Sequence, residues 1–98
     1  MFRHVVMFQW AEEITEAHIS ATAAAFDALP AQIDVLQRYD HGPDAGVSDG
    51  NFDYVVVADV DSPEAFATYR DHRAHQALVS EFIAGKVAAR AAVQYRID

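Results

Sequence analysis

The stretch FRHVVMFQW, residues Phe2–Trp10, is rich in β-branched and aromatic residues and is typical of a β-strand. Alternation gives this strand two faces, one with Phe2, His4, Val6, Phe8 and Trp10 and the other with Arg3, Val5, Met7 and Gln9. The stretch YVVVA at Tyr54–Ala58 is the strongest strand signal in the chain, and it is also apolar on both faces. Helices normally cover one face of such a sheet, so its second face needs another cover. A second copy of the chain would supply it, and we expect a homodimer that associates through the sheet face.

Helix signals follow each of these two strands. Thr15 is a suitable N-cap for a first helix, which Pro30 ends. The apolar stripe of that helix consists of Ile19, Ala23 and Phe26. The sequence Ser62-Pro63-Glu64 starts a second helix, with a cap hydroxyl, a proline at the first helical position and then an acid.

The second helix is predicted to be broken. Its apolar pattern shifts near Asp71–Arg73, and a new stripe runs from His75 to Ile83 before Gly85 stops it. Two further strands are predicted at Val35–His41 and Arg90–Ile97, with a loop of turn-forming residues over Gly42–Asn51. The order β-α-β-β-α-β predicts an α+β, ferredoxin-like protomer with an antiparallel sheet, and residues 1–98 as one domain.

Composition and charge exclude several classes of partner. The 98 residues contain 15 acids and 7 bases, with a formal charge of −8 and no run of bases. This balance argues against binding nucleic acid or an anionic membrane surface. Cysteine is absent, which excludes disulfides and thiolate metal sites. The N-terminus has too short an apolar run for a signal peptide, and no stretch is long enough to span a membrane, so we expect a cytoplasmic protein.

The residues that could carry chemistry are aromatic and polar. In the stretch YRDHRAH, Tyr69 and His72 are three apart and so neighbours on one helix face, and His75 opens the next segment. If the helices cover the His4 face of the first strand, four side chains come together between helix and sheet, namely His4, Tyr69, His72 and His75. Imidazole suits a general base and a phenol suits a hydrogen-bond donor to a developing oxyanion. The alternative is a structural role, with buried rings whose polar tips are bonded to the protein.

A metal site is a weaker interpretation of the same histidines. His72 and His75 have a metal-like spacing and His4 could be a third ligand, but the pattern lacks the carboxylate or thiolate ligands usual at zinc and iron sites. We therefore expect no catalytic metal and no cofactor. A hard cation at the Gly42–Asn51 loop is conceivable, and it would be adventitious more often than functional.

The sequence resembles the Dabb family, the stress-responsive dimeric A/B barrel domains, over essentially its whole length. The stretches that carry the resemblance are FRHVV at 2–6, LPAQI at 29–33, SDGNFD at 48–53, YRDHRAHQA at 69–77 and AAVQY at 91–95. The resemblance implies a ferredoxin-like protomer whose sheet pairs with a second sheet to form a dimeric α/β barrel. It also implies a small-molecule pocket in each protomer.

The well-understood enzymes of that family are plant polyketide (olivetolic acid) cyclases, which close a ring by aldol condensation. By resemblance to them, Tyr69 and His75 would be catalytic, and His4, His72 and Tyr54 would bind substrate, although the cyclases have a histidine where this chain has Tyr54. Arg73 stands where the family usually has proline. The implied function is binding of a small carbonyl-bearing molecule, with cofactor-independent cyclase or lyase chemistry if the protein is an enzyme. The alternative is a non-enzymatic stress-responsive or structural protein whose function is assembly or partner binding.

Overall fold

A computed structural model describes residues 1–97. The elements in this part of the chain are β1 (Phe2–Trp10), α1 (Glu16–Ala28), β2 (Arg38–Pro43), β3 (Tyr54–Val60), α2 (Pro63–Asp71), α3 (Arg73–Leu78) and β4 (Val87–Arg96). A short 3₁₀ turn, Leu29–Ala31, follows α1, and a π-helical turn, Val79–Ile83, follows α3. No helix among residues 1–97 is long and apolar enough to cross a membrane.

The four strands form one antiparallel sheet in the order β2-β3-β1-β4. At its centre Val6 faces Val56 of β3 on one side and Ala92 of β4 on the other. The two central strands are therefore the two that the sequence marks as apolar on both faces. The predicted ferredoxin-like α+β fold is confirmed.

The helices cover one face of this sheet, and the core lies beneath them. His4, Val6 and Phe8 of β1 are buried on this face, as the alternation in Phe2–Trp10 predicts. The opposite face, the open sheet face, carries the apolar side chains of Val5, Met7, Val55, Val57, Val93 and Tyr95 beside the Arg3–Asp59 ion pair. Val93 and Tyr95 are 61% and 45% exposed there. The open sheet face therefore leaves large apolar side chains in contact with solvent.

The predicted helix signals match the helix ends. The Thr15 hydroxyl accepts a hydrogen bond from the His18 amide at 3.1 Å, and Ser62 does the same for the Ala65 amide at 3.1 Å. The break falls at His72, whose backbone is extended (φ −62°, ψ 139°) between α2 and α3. Gly85, the predicted stop, has a φ of +75°, a conformation that glycine adopts without strain.

Several strand boundaries differ from the prediction. The second strand spans Arg38–Pro43 rather than Val35–His41, because the Leu36 amide bonds to the Ile33 carbonyl at 3.2 Å and closes a turn first. Gly42 and Pro43 are part of this strand rather than of a loop, since β2 is an edge strand and tolerates a proline.

The other two strands are longer or displaced. The third strand continues beyond Ala58 to Val60, with Phe2 pairing Val60. The last strand begins at Val87, before the predicted Arg90, because Val87 pairs with Trp10 across an irregularity in β1. It ends at Arg96 rather than Ile97.

Candidate functional site

A cavity of about 270 Å³ lies on the helix-covered side of the sheet. Its polar lining consists of His4, Tyr69, Arg70, His75 and Arg90. The apolar lining consists of Val6, Phe8, Phe26, Val56, Phe66, Leu78, Val79 and Ile83. Three of the four side chains predicted to converge between helix and sheet, namely His4, Tyr69 and His75, therefore share one cavity.

The His75 ring is held in one tautomer by the chain just before it. Its Nδ1 lies 2.8 Å from the Arg70 carbonyl oxygen, which can only accept a hydrogen bond, so Nδ1 carries the proton. In the neutral ring, Nε2 is then the basic nitrogen. Burial lowers the pKa of His75, against the opposing effect of the Arg70 carbonyl, so the ring is neutral at pH 7.

Tyr69 packs directly against His75. The two ring centroids are 4.5 Å apart, with the rings tilted by 46°. Its hydroxyl contacts the Tyr39 hydroxyl at 3.4 Å, longer than a usual O–H···O hydrogen bond. Burial raises the pKa of Tyr69, while the contact with Tyr39 works against that rise. The phenol therefore keeps its proton at neutral pH.

His4 faces the cavity from β1. Gln94 donates its amide N–H to His4 Nδ1 at 3.0 Å, which leaves the ring proton on Nε2. The ring also packs on Phe66, with centroids 4.8 Å apart. Burial, aided by the charge of Arg90, lowers the pKa of His4 to about 4. At pH 7 His4 is thus a neutral imidazole with one N–H to donate.

Both free histidine nitrogens are accessible. Among residues 1–97, no polar side-chain atom is both fully buried and without a hydrogen-bond partner. The Nε2 atoms of His4 and His75 bond to no protein atom in that part of the chain. They are therefore not sealed in the core, and the cavity that both rings line gives access to them. The cavity offers one basic nitrogen and one N–H donor.

His72 does not line this cavity. Its Nδ1 accepts a hydrogen bond from the Ala74 amide at 3.0 Å, so the side chain is the N-cap of α3. The prediction that Tyr69 and His72 share a helix face depended on a continuous helix, and the chain breaks at His72 itself. The role supported by this geometry is to fix the break.

Tyr54 is buried outside the cavity and has its own partners. Its hydroxyl lies 2.7 Å from His41 Nδ1, and His41 Nε2 lies 2.6 Å from the Asp27 carboxylate. The carboxylate accepts from Nε2, so Tyr54 donates to Nδ1 when the ring is neutral. This chain of hydrogen bonds joins the end of α1 to β2 and β3.

The structure offers little to a metal ion. Within residues 1–97, no group of three or more His, Cys, Asp or Glu side chains is arranged to hold one. The Nδ1 atoms of His72 and His75 are each hydrogen-bonded to the backbone, His72 to the Ala74 amide and His75 to the Arg70 carbonyl.

Sequence reasoning missed Arg90, Gln94 and Tyr39, which complete the surroundings of the site. Arg90 and Gln94 pair with Phe8 and His4 across the β1–β4 ladder, and so they share the buried face of those residues. That register could have been anticipated from the alternation in both strands. Tyr39 had no comparable signal, because its contact with Tyr69 depends on how α2 lies over the sheet.

Comparison with known proteins identifies the family. The profile of the stress responsive A/B barrel domain, Dabb, matches residues 2–97. This chain belongs to the Dabb family. No curated protein matches the sequence.

Solved structures share the Dabb fold over nearly the whole chain. A dimeric ferredoxin-like protein of unknown function from Thermobifida fusca is 38% identical, with 98% of this chain and 90% of that chain covered at a TM-score of 0.92. A hydroxynitrile lyase from Passiflora edulis is 16% identical, covering 99% and 93% at a TM-score of 0.86. A dimeric protein of unknown function from Bacteroides fragilis is 22% identical, covering 98% and 95% at a TM-score of 0.80. The last two show a shared fold alone.

Proposed function

We propose that this Dabb domain binds a small, partly apolar carbonyl compound in the cavity and that His75 removes a proton from the carbon beside the carbonyl. The observation that carries the proposal is the His75 tautomer. Its Nδ1 proton is held by the Arg70 carbonyl at 2.8 Å, which leaves the Nε2 lone pair for the ligand. An imidazole that is neutral at pH 7 is well suited to general base catalysis.

Two hydrogen-bond donors, Tyr69 and His4, can stabilise the negative charge that develops on the carbonyl oxygen. Tyr39 can donate to the Tyr69 oxygen across their 3.4 Å contact, which leaves the Tyr69 proton for the ligand. His4 has its Nε2 proton to give, because Gln94 occupies Nδ1. Hydrogen bonds from fixed donors stabilise an enolate in a site with little water.

The proton returns in the second half of an aldol reaction. The enolate carbon attacks a second carbonyl carbon of the same ligand, and that carbonyl oxygen becomes an alkoxide. The protonated His75 gives its proton to the alkoxide, so the base is regenerated and no cofactor is needed. The low pKa of the buried imidazolium favours this transfer. We assign the activity to the cyclase or lyase type on this basis.

The test is deuterium exchange in D₂O at the carbons beside the carbonyl of 4-phenyl-2-butanone, followed by proton NMR. His75→Gln keeps a polar side chain that can still bond to the Arg70 carbonyl but lacks a basic nitrogen. We expect exchange to slow by roughly 10²–10⁴-fold, the usual cost of losing a general base. His18→Gln is the matched control, because His18 bonds to the Phe82 carbonyl outside the cavity lining. Equal exchange in wild type and His75→Gln would refute the assignment.

The variant Tyr69→Phe distinguishes the role of the Tyr69 hydroxyl from that of its ring. Phenylalanine keeps the ring that packs against His75 and removes only the hydroxyl. We expect slower exchange with little change in melting temperature. A fall in melting temperature with exchange unchanged would show that the hydroxyl is structural.

We also propose that the domain is a homodimer in which two open sheet faces pair to form the α/β barrel. The support is the exposure of Val93 and Tyr95 on that face. Contiguous exposed apolar surface of this kind marks an interaction site. The similar proteins from Thermobifida fusca and Bacteroides fragilis are both described as dimeric, which agrees with this proposal.

A non-enzymatic role is the second candidate, and one observation favours it. Tyr69 is only 3% exposed and its hydroxyl already contacts Tyr39. If the function is assembly or partner binding, wild-type protein will not accelerate exchange of any ketone. His75→Gln and Tyr69→Phe will then lower the melting temperature instead.

A further inference from the structure

The charge of the cavity is opposite to that of the chain. The sequence has 15 acids and 7 bases. Yet no Asp or Glu from residues 1–97 lines the cavity, whereas two of the arginines, Arg70 and Arg90, do. The two lining histidines are neutral at pH 7 because burial lowers the pKa of each. At neutral pH the charged side chains that line the cavity are therefore both positive.

The two arginines differ in whether their charge is compensated. Arg70 forms a two-point ion pair with Asp71, at 2.9 and 3.0 Å. Arg90 has no acidic partner within 4.0 Å and no side-chain hydrogen bond among residues 1–97. Of the two arginines, Arg90 is therefore the one whose positive charge is available to bind a ligand.

Arg90 also has a suitable position. It pairs with Phe8 in the β1–β4 ladder, so its side chain leaves the sheet on the same face as His4, Val6 and Phe8. The strand β4 is an edge strand, and Arg90 is exposed on it. The cavity lining therefore includes an exposed arginine from β4, while Tyr69 and His75 line the cavity from the helices.

We propose that the natural ligand is an oxo acid, whose carboxylate bonds to Arg90 while its carbonyl lies between His75 and the two donors. This proposal rests on the proposed function, and it adds the class of ligand. A guanidinium can bond to a carboxylate at two points, which fixes orientation as well as adding affinity. The other residues that line the cavity are apolar and suit a hydrocarbon or aromatic linker.

The test compares two probes of similar shape, of which only one is charged. One is 4-oxo-4-phenylbutanoate, and the other is its uncharged primary amide, which has nearly the same shape. Dissociation constants are measured by NMR titration at pH 7 and 50 mM salt. We expect wild-type protein to bind the acid about tenfold more tightly than the amide, since a charge-assisted hydrogen bond is roughly twice as strong as a neutral one.

Single variants assign this preference to Arg90. Arg90→Gln should bind both probes about equally, and Arg90→Lys should keep part of the preference because it keeps the charge but loses the two-point geometry. Arg38→Gln is the matched control, since Arg38 pairs with Asp40 at the surface outside the cavity lining. It should leave the preference intact.

Each outcome bears on one proposal. Equal binding of acid and amide by wild type, or a preference that survives in Arg90→Gln, would overturn the oxo-acid proposal. The exchange test with the neutral 4-phenyl-2-butanone is independent of that result. A protein that exchanges the neutral ketone through His75 but has no preference for the acid keeps the proposed function and loses only the ligand class.

Discussion

His72 lies at the break between α2 and α3, and its side chain caps α3. Its resemblance to pocket histidines of related enzymes predicts substrate contact, whereas its Nδ1 accepts the Ala74 amide at 3.0 Å as a helix cap. The cap satisfies an amide that has no partner within the helix. The family pattern alone could not reveal this role, because it gives the residue type and not its hydrogen bonds.

We predict that His72→Ala lowers the free energy of unfolding by about 1 kcal/mol, the usual cost of losing a side-chain cap. His72→Asn should restore most of that loss, because the asparagine oxygen can accept the same amide. Urea denaturation followed by circular dichroism measures both. A substrate-contact role alone would leave both variants as stable as wild type.

The roles of His4 and His75 could be anticipated only in part. The alternation in β1 places His4 on the helix-covered face, and the pattern shift near Asp71–Arg73 places His75 beside it. Their tautomers depend on Gln94, far away in the sequence, and on a backbone carbonyl. The sequence therefore predicts that His4 and His75 share a cavity, although it wrongly adds His72, and it does not predict which nitrogen of each ring is basic.

The break between α2 and α3 is the element that assembles the site. On a continuous helix, Tyr69 and His75 would lie roughly 120° apart around the axis, since each of the six steps turns the chain by about 100°. The extended backbone at His72 redirects the chain, and the two rings meet with centroids 4.5 Å apart. The sequence predicted this break from the shift in apolar pattern, and its position is correct.

The edge of the sheet was harder to predict than its centre. The centre is specified by β-branched residues on both faces, as at Val55–Val57. The boundaries of β2 depend instead on the turn after Ile33 and on the tolerance of an edge strand for Gly42 and Pro43. Local hydrogen bonds of this kind are harder to predict from the hydrophobic pattern of the sequence.

At this scale we predict that Tyr54→Phe destabilises the contact between α1 and the sheet. The change removes the hydroxyl that bonds to His41 Nδ1 at 2.7 Å, and leaves the ring that stacks on Phe26. The expected loss in the free energy of unfolding is about 1 kcal/mol, typical of one hydrogen bond. Asp27→Asn should cost less, because Asp27 is exposed and water replaces its contact. Unchanged stability in Tyr54→Phe would contradict this role, and ketone exchange should be unaffected because Tyr54 does not line the cavity.

For the whole molecule, the buried histidines make stability depend on pH. The pKa of His4 is about 4 in the folded protein, against about 6.5 in an unfolded chain, and the pKa of His75 is also lowered. Between these values the unfolded state binds more protons, so the free energy of unfolding falls as the pH falls from about 6.5 to about 4. Asp59 behaves differently, because its hydrogen bonds with Arg3 lower its pKa. Its stabilising effect is lost only at still lower pH, as its carboxylate becomes protonated.

Urea denaturation at pH 7 and pH 5 measures the first effect. We predict a lower free energy of unfolding at pH 5 in wild type and a smaller difference in His4→Gln, because one of the two proton-binding groups is gone. Equal stability of wild type at both pH values would contradict the burial of neutral histidines in this fold.

Assembly is the last property that depends on the whole molecule. The open sheet face carries large apolar side chains from three strands, and Val93 is 61% exposed at the β4 side. In a dimer that pairs two such faces, Val93→Glu would bury a carboxylate without a partner, which costs far more than an exposed charge.

We predict that light scattering coupled to gel filtration gives a dimer mass for wild type at micromolar concentration and a monomer mass for Val93→Glu. Ala24→Glu adds the same charge at an exposed position of α1, which lies on the other side of the sheet, and should remain a dimer. A wild-type monomer, or a Val93→Glu dimer as stable as wild type, would show that the open sheet face is not the interface.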